Sequence, residues 1–268
     1  MNKKILLAGP WVGEFGWELF CWHAHIRRLS KNFDETVIIS KKGHEFLYKD
    51  FYTKYYVYNT PKNSFVNMWL CNDVNAKSIV EKSINHLGLQ GNVTIQLPIN
   101  LGFTINGKGE IKMSENFKKQ KFIKLKSDTL DKSYDILIHP RSRHVANERN
   151  WDINKWNKLV KMLENDYSIA TIGSYEALGI DGTADMRGIP IEDTVALMNR
   201  AKLIIGPSSG PMHLASLSGL QHFVWSSEHN RNRYLTAWNP FNTKVHFYSK
   251  ESWNPKVDVV YNKIKEII

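Results

Sequence analysis

Nine short apolar runs rich in Ile and Val recur along the 268 residues, at 4–8, 36–40, 55–58, 92–97, 135–139, 167–173, 203–206, 222–225 and 244–248. Continuous runs of this length mark strands buried on both faces. Segments with helical spacing of apolar residues lie between several of them, at 17–29, 151–163, 191–201 and 212–217. Strand, helix and strand in alternation predicts an α/β protein with parallel sheets. The length suits two compact domains. The stretch 108–133 breaks the rhythm, with eight lysines among Glu, Asn, Ser and Asp, and reads as the connection between domains plus a charged face. The expected layout is an N-terminal domain over 1–125, a second domain over 126–250 and a closing helix in 251–268. There Pro255 precedes apolar residues at 257, 260, 264, 267 and 268.

A 42% hydrophobic composition with 16 glycines excludes disordered and collagen-like chains, and without an internal repeat a solenoid is excluded too. Cys21 and Cys71 are the two cysteines, too few for a disulfide framework or a cysteine-based zinc site, which fits a reducing cytoplasm. The apolar run after Lys4 ends at Gly9-Pro10, too short for a signal-peptide core or a membrane span. A formal charge of +10 predicts attraction to a polyanion: nucleic acid, an acidic membrane surface or the phosphates of a ligand. His139, His144, His222 and His229 lack a metal-ligand spacing, so no metal site is expected.

The segment 203–215 is a buried strand running into a turn of small residues and then a helix: Gly206-Pro207-Ser208-Ser209-Gly210-Pro211-Met212-His213. Here an α/β sheet presents free N–H groups and a helix dipole to an anion, and Pro211 suits the first helical turn. A plain strand-to-helix turn with a serine cap is the simpler reading of the same residues. From Ile136 onward the order of motifs resembles the C-terminal half of the heptosyltransferases, inverting glycosyltransferases of the GT-B architecture. The resemblance is carried by Ile136-Leu137-Ile138-His139-Pro140, by Arg149-Asn150-Trp151 with Trp156, by Asp185-Met186-Arg187-Gly188, and by Ser208-Ser209-Gly210-Pro211-Met212-His213-Leu214-Ala215. In the last signature the family has Asp where this chain has Ser208.

That resemblance implies two Rossmann-like domains with parallel sheets facing across a cleft. It also implies a nucleotide-diphosphate sugar, with UDP-sugar favoured, whose diphosphate lies on Ser208, Ser209, Gly210, Pro211, Met212 and His213. No cofactor is required. Arg141, Arg143 and Arg149 follow the strand ending at Pro140 and suit either neutralisation of the departing diphosphate without a metal or a plain surface role. In the first half, Gly9-Pro10-Trp11-Val12-Gly13-Glu14-Phe15-Gly16-Trp17-Glu18 follows the first strand. Gly13-Glu14 looks like the Gly-Asp pair that supplies the family's base, which makes Glu14 the candidate base. Glu18, one turn on, suits orienting an acceptor or facing solvent near a helix start. Trp11 and Trp17 flank the base and are placed to stack on a sugar or a base, or to fill core.

The combined reading is inverting transfer of a sugar to an acceptor hydroxyl. For the acceptor, the positive charge, the lysines from Lys118 to Lys126 and the patch Arg231-Asn232-Arg233-Tyr234 favour a hydroxymethylated base in DNA, compatible with a phage protein in a host cytoplasm. The family analogy favours lipopolysaccharide or a surface polysaccharide. A non-hydrolysing nucleotide-sugar epimerase and a non-catalytic binding module are the remaining alternatives.

Overall fold

The computed structural model describes residues 3–58, 76–98, 103–105, 111–113 and 119–268. The chain divides into two compact units, one of Met1–Thr104 with Lys112–Ile123, the other of Ile105–Ile111 with Lys124–Ile268.

The first unit starts with β1 (Lys4–Ala8) and a composite helix α1, which is α-helical over Phe15–Trp17, π-helical over Glu18–Trp22 and α-helical again over His23–Ser30. The sequence predicts one regular helix over 17–29; the wider turn at its start is invisible to a 3.6-residue period. Strands β2 (Glu35–Ser40) and β3 (Lys54–Val57), helix α2 (Ala76–Leu87) and strand β4 (Asn92–Gln96) follow. The sheet runs β3-β2-β1-β4 with every pair parallel. Because side chains alternate along a strand, Ile5, Leu7, Val37 and Ile39 form one cluster with Val80 of α2, while Leu6 and Ile38 are buried on the opposite face. Leu19, Phe20, Trp22, Ala24 and Ile26 of α1 are fully buried as well. A separate pair, β5 (Phe103–Ile105) and β6 (Ile111–Met113), interrupts what the sequence marks as a plain connection.

In the second unit, β7 (Ile136–Ile138), α3 (Ile153–Leu163), β8 (Ile169–Gly173), β9 (Ala184–Arg187), α4 (Ile191–Arg200), β10 (Leu203–Pro207), α5 (Gly210–Ser218), β11 (His222–Trp225), β12 (Val245–Tyr248) and α6 (Val257–Ile267) follow in order. The sheet order is β12-β11-β10-β7-β8-β9, all parallel. This is the doubly wound order of nucleotide-binding sheets, and the winding reverses between neighbours β7 and β10. One face carries Ile136, Ile138, Leu203, Ile205 and Phe223 against Leu159, Val160 and Leu163 of α3 and Val257, Val260 and Ile264 of α6. Trp151, Trp156 and Trp225 meet in that core with ring centroids 4.8, 5.2 and 5.6 Å apart. Such pairs add about 0.5–1.5 kcal/mol each beyond their buried area. Asp152 caps α3 by accepting the Asn154 N–H at 2.8 Å, and Gly219, in left-handed conformation, ends α5.

Cys21 is buried and forms no disulfide. Cys71, Trp69 and Lys118, which the sequence reading singles out, lie outside the described residues. Among the described residues no helix is long and apolar enough to cross a membrane.

Candidate active site

The carboxyl ends of β7 and β10 bring together two of the sequence-marked segments. His139 ends β7 with its N–H on the Ile205 carbonyl (3.0 Å) and its Nδ1–H on the Ile172 carbonyl (3.1 Å). Burial lowers its pKa to about 4, so the ring is neutral. At the end of β10, the Ser208 N–H donates to the Trp225 carbonyl at 3.0 Å, Ser209 is extended, and Gly210 opens α5 with Pro211 in its first turn. Early N–H groups of a helix have no carbonyl of their own turn to bond, and the helix dipole places about half a positive charge there. The buried Ser209 Oγ has no hydrogen-bond partner among the described residues. A phosphate group suits this turn: N–H donors, a hydroxyl and no side chain at Gly210.

Tyr234, which the sequence reading assigns to an open basic patch, is fully buried beneath this turn. Its hydroxyl donates to Ser208 Oγ at 3.0 Å and accepts the Ser209 N–H at 3.3 Å. The ring stacks on His213 at 4.4 Å, and His213 meets Trp238 edge-on at 4.7 Å. Burial raises the tyrosine pKa, with Ser208, Ser209, Arg233 and Arg149 opposing it. His213 is held neutral by burial and by Arg233. Thus His213 packs the turn from below, and a neutral Ser208–Tyr234 pair stands where the resembled family carries a carboxylate. The rest of the patch is also committed: Arg231 pairs with Glu228, lies over Phe247 and reaches Ser249, and Arg233 lies over Trp238. Of the patch 231–234, Arg231 and Asn232 are exposed, whereas Tyr234 is buried and does not belong to its surface.

The three arginines after β7 separate by environment. Arg141 is buried, and its guanidinium donates to the carbonyls of Val145 (2.8 Å) and Ala146 (3.0 Å) and to Asn150 Oδ1, so it shapes the 141–150 loop rather than facing a leaving group. Arg143 is exposed, its backbone bonded to the Asn150 side chain. Arg149 is half-buried over Trp253 at 4.7 Å, and its field reaches the Tyr234 hydroxyl. Arg149 and Arg233 both act electrostatically on the Tyr234 hydroxyl, which bonds Ser208 and Ser209.

In the first unit the loop after β1 is stitched to both neighbouring strands: Gly9 N–H to the Gln96 carbonyl and Trp11 N–H to the Ile39 carbonyl, each at 3.0 Å. Trp11 is fully buried and stacks on Trp22 at 5.7 Å, and Trp17 is 8% exposed. Both belong to the core, which corrects their placement as ligand-stacking rings. The Gly13 carbonyl accepts Lys41 Nζ at 2.5 Å. Glu14 is half-buried at the start of α1, and its carbonyl accepts the Glu18 N–H at 3.1 Å. Glu18 does not face solvent. Its carboxylate is completely buried, accepting Ser40 Oγ (2.7 Å), the Tyr48 hydroxyl (2.7 Å) and His44 Nδ1–H (2.5 Å). Burial alone would raise its pKa, but His44, Lys41 and Tyr48 outweigh it and hold the carboxyl below its ordinary value. His44 was invisible to the sequence reading because its partner, Glu18, lies 26 residues away.

Solved structures share this arrangement of elements. The Escherichia coli ADP-heptose lps heptosyltransferase II matches 98% of this chain and 98% of its own at a TM-score of 0.62 and 12% identity. The E. coli heptosyltransferase WaaC with ADP matches 98% of this chain and 97% of its own at 0.58 and 9%. The glycosyl transferase family 9 structure from Veillonella parvula DSM 2008 matches 99% and 90% at 0.57 and 12%. The fold is GT-B. No protein-family model and no curated relative matches the chain. In GT-B terms, β7, β10 and the start of α5 form the switch point of the second Rossmann-like unit, and the loops after β1 and β2 form the corresponding edge of the first.

Proposed function

We propose that the protein is an inverting glycosyltransferase that moves a sugar from a nucleoside-diphosphate sugar to an acceptor hydroxyl. The observation that carries this reading is the Ser208-Ser209-Gly210 turn at the β7/β10 switch point, with α5 behind it and the Tyr234 hydroxyl, on which Arg149 and Arg233 act, bonded to it. The α5 N-terminus and Arg149 stabilise charge that develops on the departing diphosphate. A group on the first unit's loops takes the acceptor proton, and the resemblance nominates Glu14. UDP and ADP are the donors to compare, since the similar WaaC structure holds ADP.

For the acceptor, the +10 charge and the exposed Lys119, Lys121, Lys124 and Lys126 support hydroxymethylated DNA. The likeness to an lps heptosyltransferase supports a lipopolysaccharide or polysaccharide hydroxyl as the second reading. Incubating the protein with UDP-, ADP- and GDP-sugars and either hydroxymethylcytosine DNA or core oligosaccharide, followed by mass spectrometry, tests both. A product heavier by one anhydro-sugar is expected in one arm. No product in either arm, with no nucleoside diphosphate bound in calorimetry, overturns the proposal.

A further inference from the structure

The first unit pairs the Glu18 carboxylate, one turn beyond Glu14, with the imidazole of His44, which no sequence motif marks. Glu18 enters the core through the π-helical turn of α1, where the wider winding seats its side chain between β2 and the segment that follows. Turns of this kind inside helices are frequent at functional sites. Ser40, the last residue of β2, and Tyr48 both donate to Oε1, which fixes the carboxylate plane, and Oε2 is left for His44. A buried carboxylate this well bonded is rigid and stays charged.

His44 stands on a tight turn after β2, closed by its N–H on the Lys41 carbonyl at 3.3 Å, with Gly43 in the left-handed region at φ 83°. The Lys41 carbonyl also accepts the Tyr55 hydroxyl at 2.6 Å, and Lys41 Nζ reaches the Gly13 carbonyl. That contact ties the β2 loop to the β1 loop, and the Phe15 ring meets His44 edge-on at 5.4 Å. His44 therefore shares the carboxyl edge of the sheet with Glu14, one residue before Phe15. Its side chain is 16% exposed, against none for Glu18. Nδ1–H is committed to the carboxylate, so the neutral ring carries its lone pair on Nε2, which no described residue occupies. A buried carboxylate that fixes an imidazole tautomer and stabilises the imidazolium is the arrangement of a general base.

We infer that His44, positioned by Glu18, is the proton acceptor for the acceptor hydroxyl, an assignment that rests on the transferase reading. In the step, the acceptor O–H bond breaks with its proton going to His44 Nε2, the oxygen bonds the anomeric carbon, and the bond from that carbon to the diphosphate oxygen breaks with its electron pair leaving on the diphosphate. The imidazolium, paired with Glu18, then returns its proton to solvent. Glu14 becomes a neighbour of the reaction rather than its base.

The test uses the full-length protein with the donor and acceptor found active. His44→Gln lowers kcat by about 10²- to 10⁴-fold while donor Kd stays within about threefold, and added imidazole restores part of the turnover of His44→Ala. Glu18→Gln lowers kcat with donor KM unchanged. Nitrogen-15 correlation spectra of the parent show His44 protonated at Nδ1, and Glu18→Gln shifts the proton to Nε2. Retained turnover in His44→Gln, or an Nε2-protonated His44 in the parent, overturns the inference. A parent inactive with every donor and acceptor overturns the transferase reading instead, and the spectra still decide the His44–Glu18 pair.

Discussion

Gly9 is the position where backbone geometry leaves least freedom. Its φ is +124°, and a Cβ built there lies 2.2 Å from the Ile39 carbonyl oxygen, the same oxygen that accepts the Trp11 N–H. Gly9→Ala must open the junction of the β1 loop and β2 by about 1 Å. The left-handed backbone costs the alanine about 1–3 kcal/mol. Disturbing the Trp11 bond costs about 0.5–1.5 kcal/mol more. The sum is a destabilisation of about 2–4 kcal/mol, which for a chain of this size lowers the calorimetric Tm by roughly 5–15 °C. Gly43→Ala is the control: its φ is +83°, yet nothing lies within 4 Å of the added methyl, so strain acts without collision. It should lose about half as much stability or less. Equal losses in the two variants, or a Gly9→Ala Tm within about 2 °C of the parent, would refute the steric reasoning.

Buried neutral histidines predict acid lability. His23 is depressed to about 3 and His25, His139 and His222 to about 4, all chiefly by burial. Above the unfolded pKa of roughly 6.5 their contribution is complete; below it the unfolded chain binds more protons and stability falls, until the folded rings protonate as well. Urea unfolding followed by far-ultraviolet circular dichroism should show a loss of several kcal/mol between pH 7 and 5, on the order of 1 kcal/mol per histidine per pH unit; equal stability at the two pH values contradicts it. Arg149→Ala should weaken nucleoside-diphosphate binding roughly tenfold with little change in Tm, whereas Arg141→Ala should lower Tm by loosening the 141–150 loop; the reverse pattern would exchange their roles. Trp156→Ala should cost about 3–5 kcal/mol, because its fully buried ring packs against both Trp151 and Trp225.

The central strands were legible because each is a compact apolar run: β1, β2, β7, β8, β10 and β11 fall within or beside their expected limits. Strand β9 was not, since Ala184-Asp185-Met186-Arg187 sits at a sheet edge and buries only Met186, leaving no apolar run to find. Helix α2 is not among the helices the sequence predicts, although Ile79, Val80, Ile84 and Leu87 form a helical stripe that packs on the sheet. At the site, the Ser208-Ser209-Gly210-Pro211 turn was readable from small residues after a buried strand. Tyr234 and His44 were not, because each acts through a partner distant in sequence, Ser208 in one case and Glu18 in the other. Trp11 and Trp17 are core for a reason that residue type does not reveal: Trp11 is tied to β2 by its N–H and stacks on Trp22, and Trp17 is buried at the start of α1.

The indoles also give the molecule a built-in optical label. Trp151, Trp156 and Trp225 stand at close range and at fixed tilts within the second unit, while Trp11 stacks on Trp22 in the first at an interplanar angle of 24°. Electronic transitions of rings held this close mix, and the resulting chiral bands depend on the mutual orientation of each group. The three-ring cluster and the stacked pair have different geometries, so their signatures differ. Melting of either unit can therefore be followed in the unmodified protein, without a dye or a fused reporter, and each band would vanish with the packing that orients its rings.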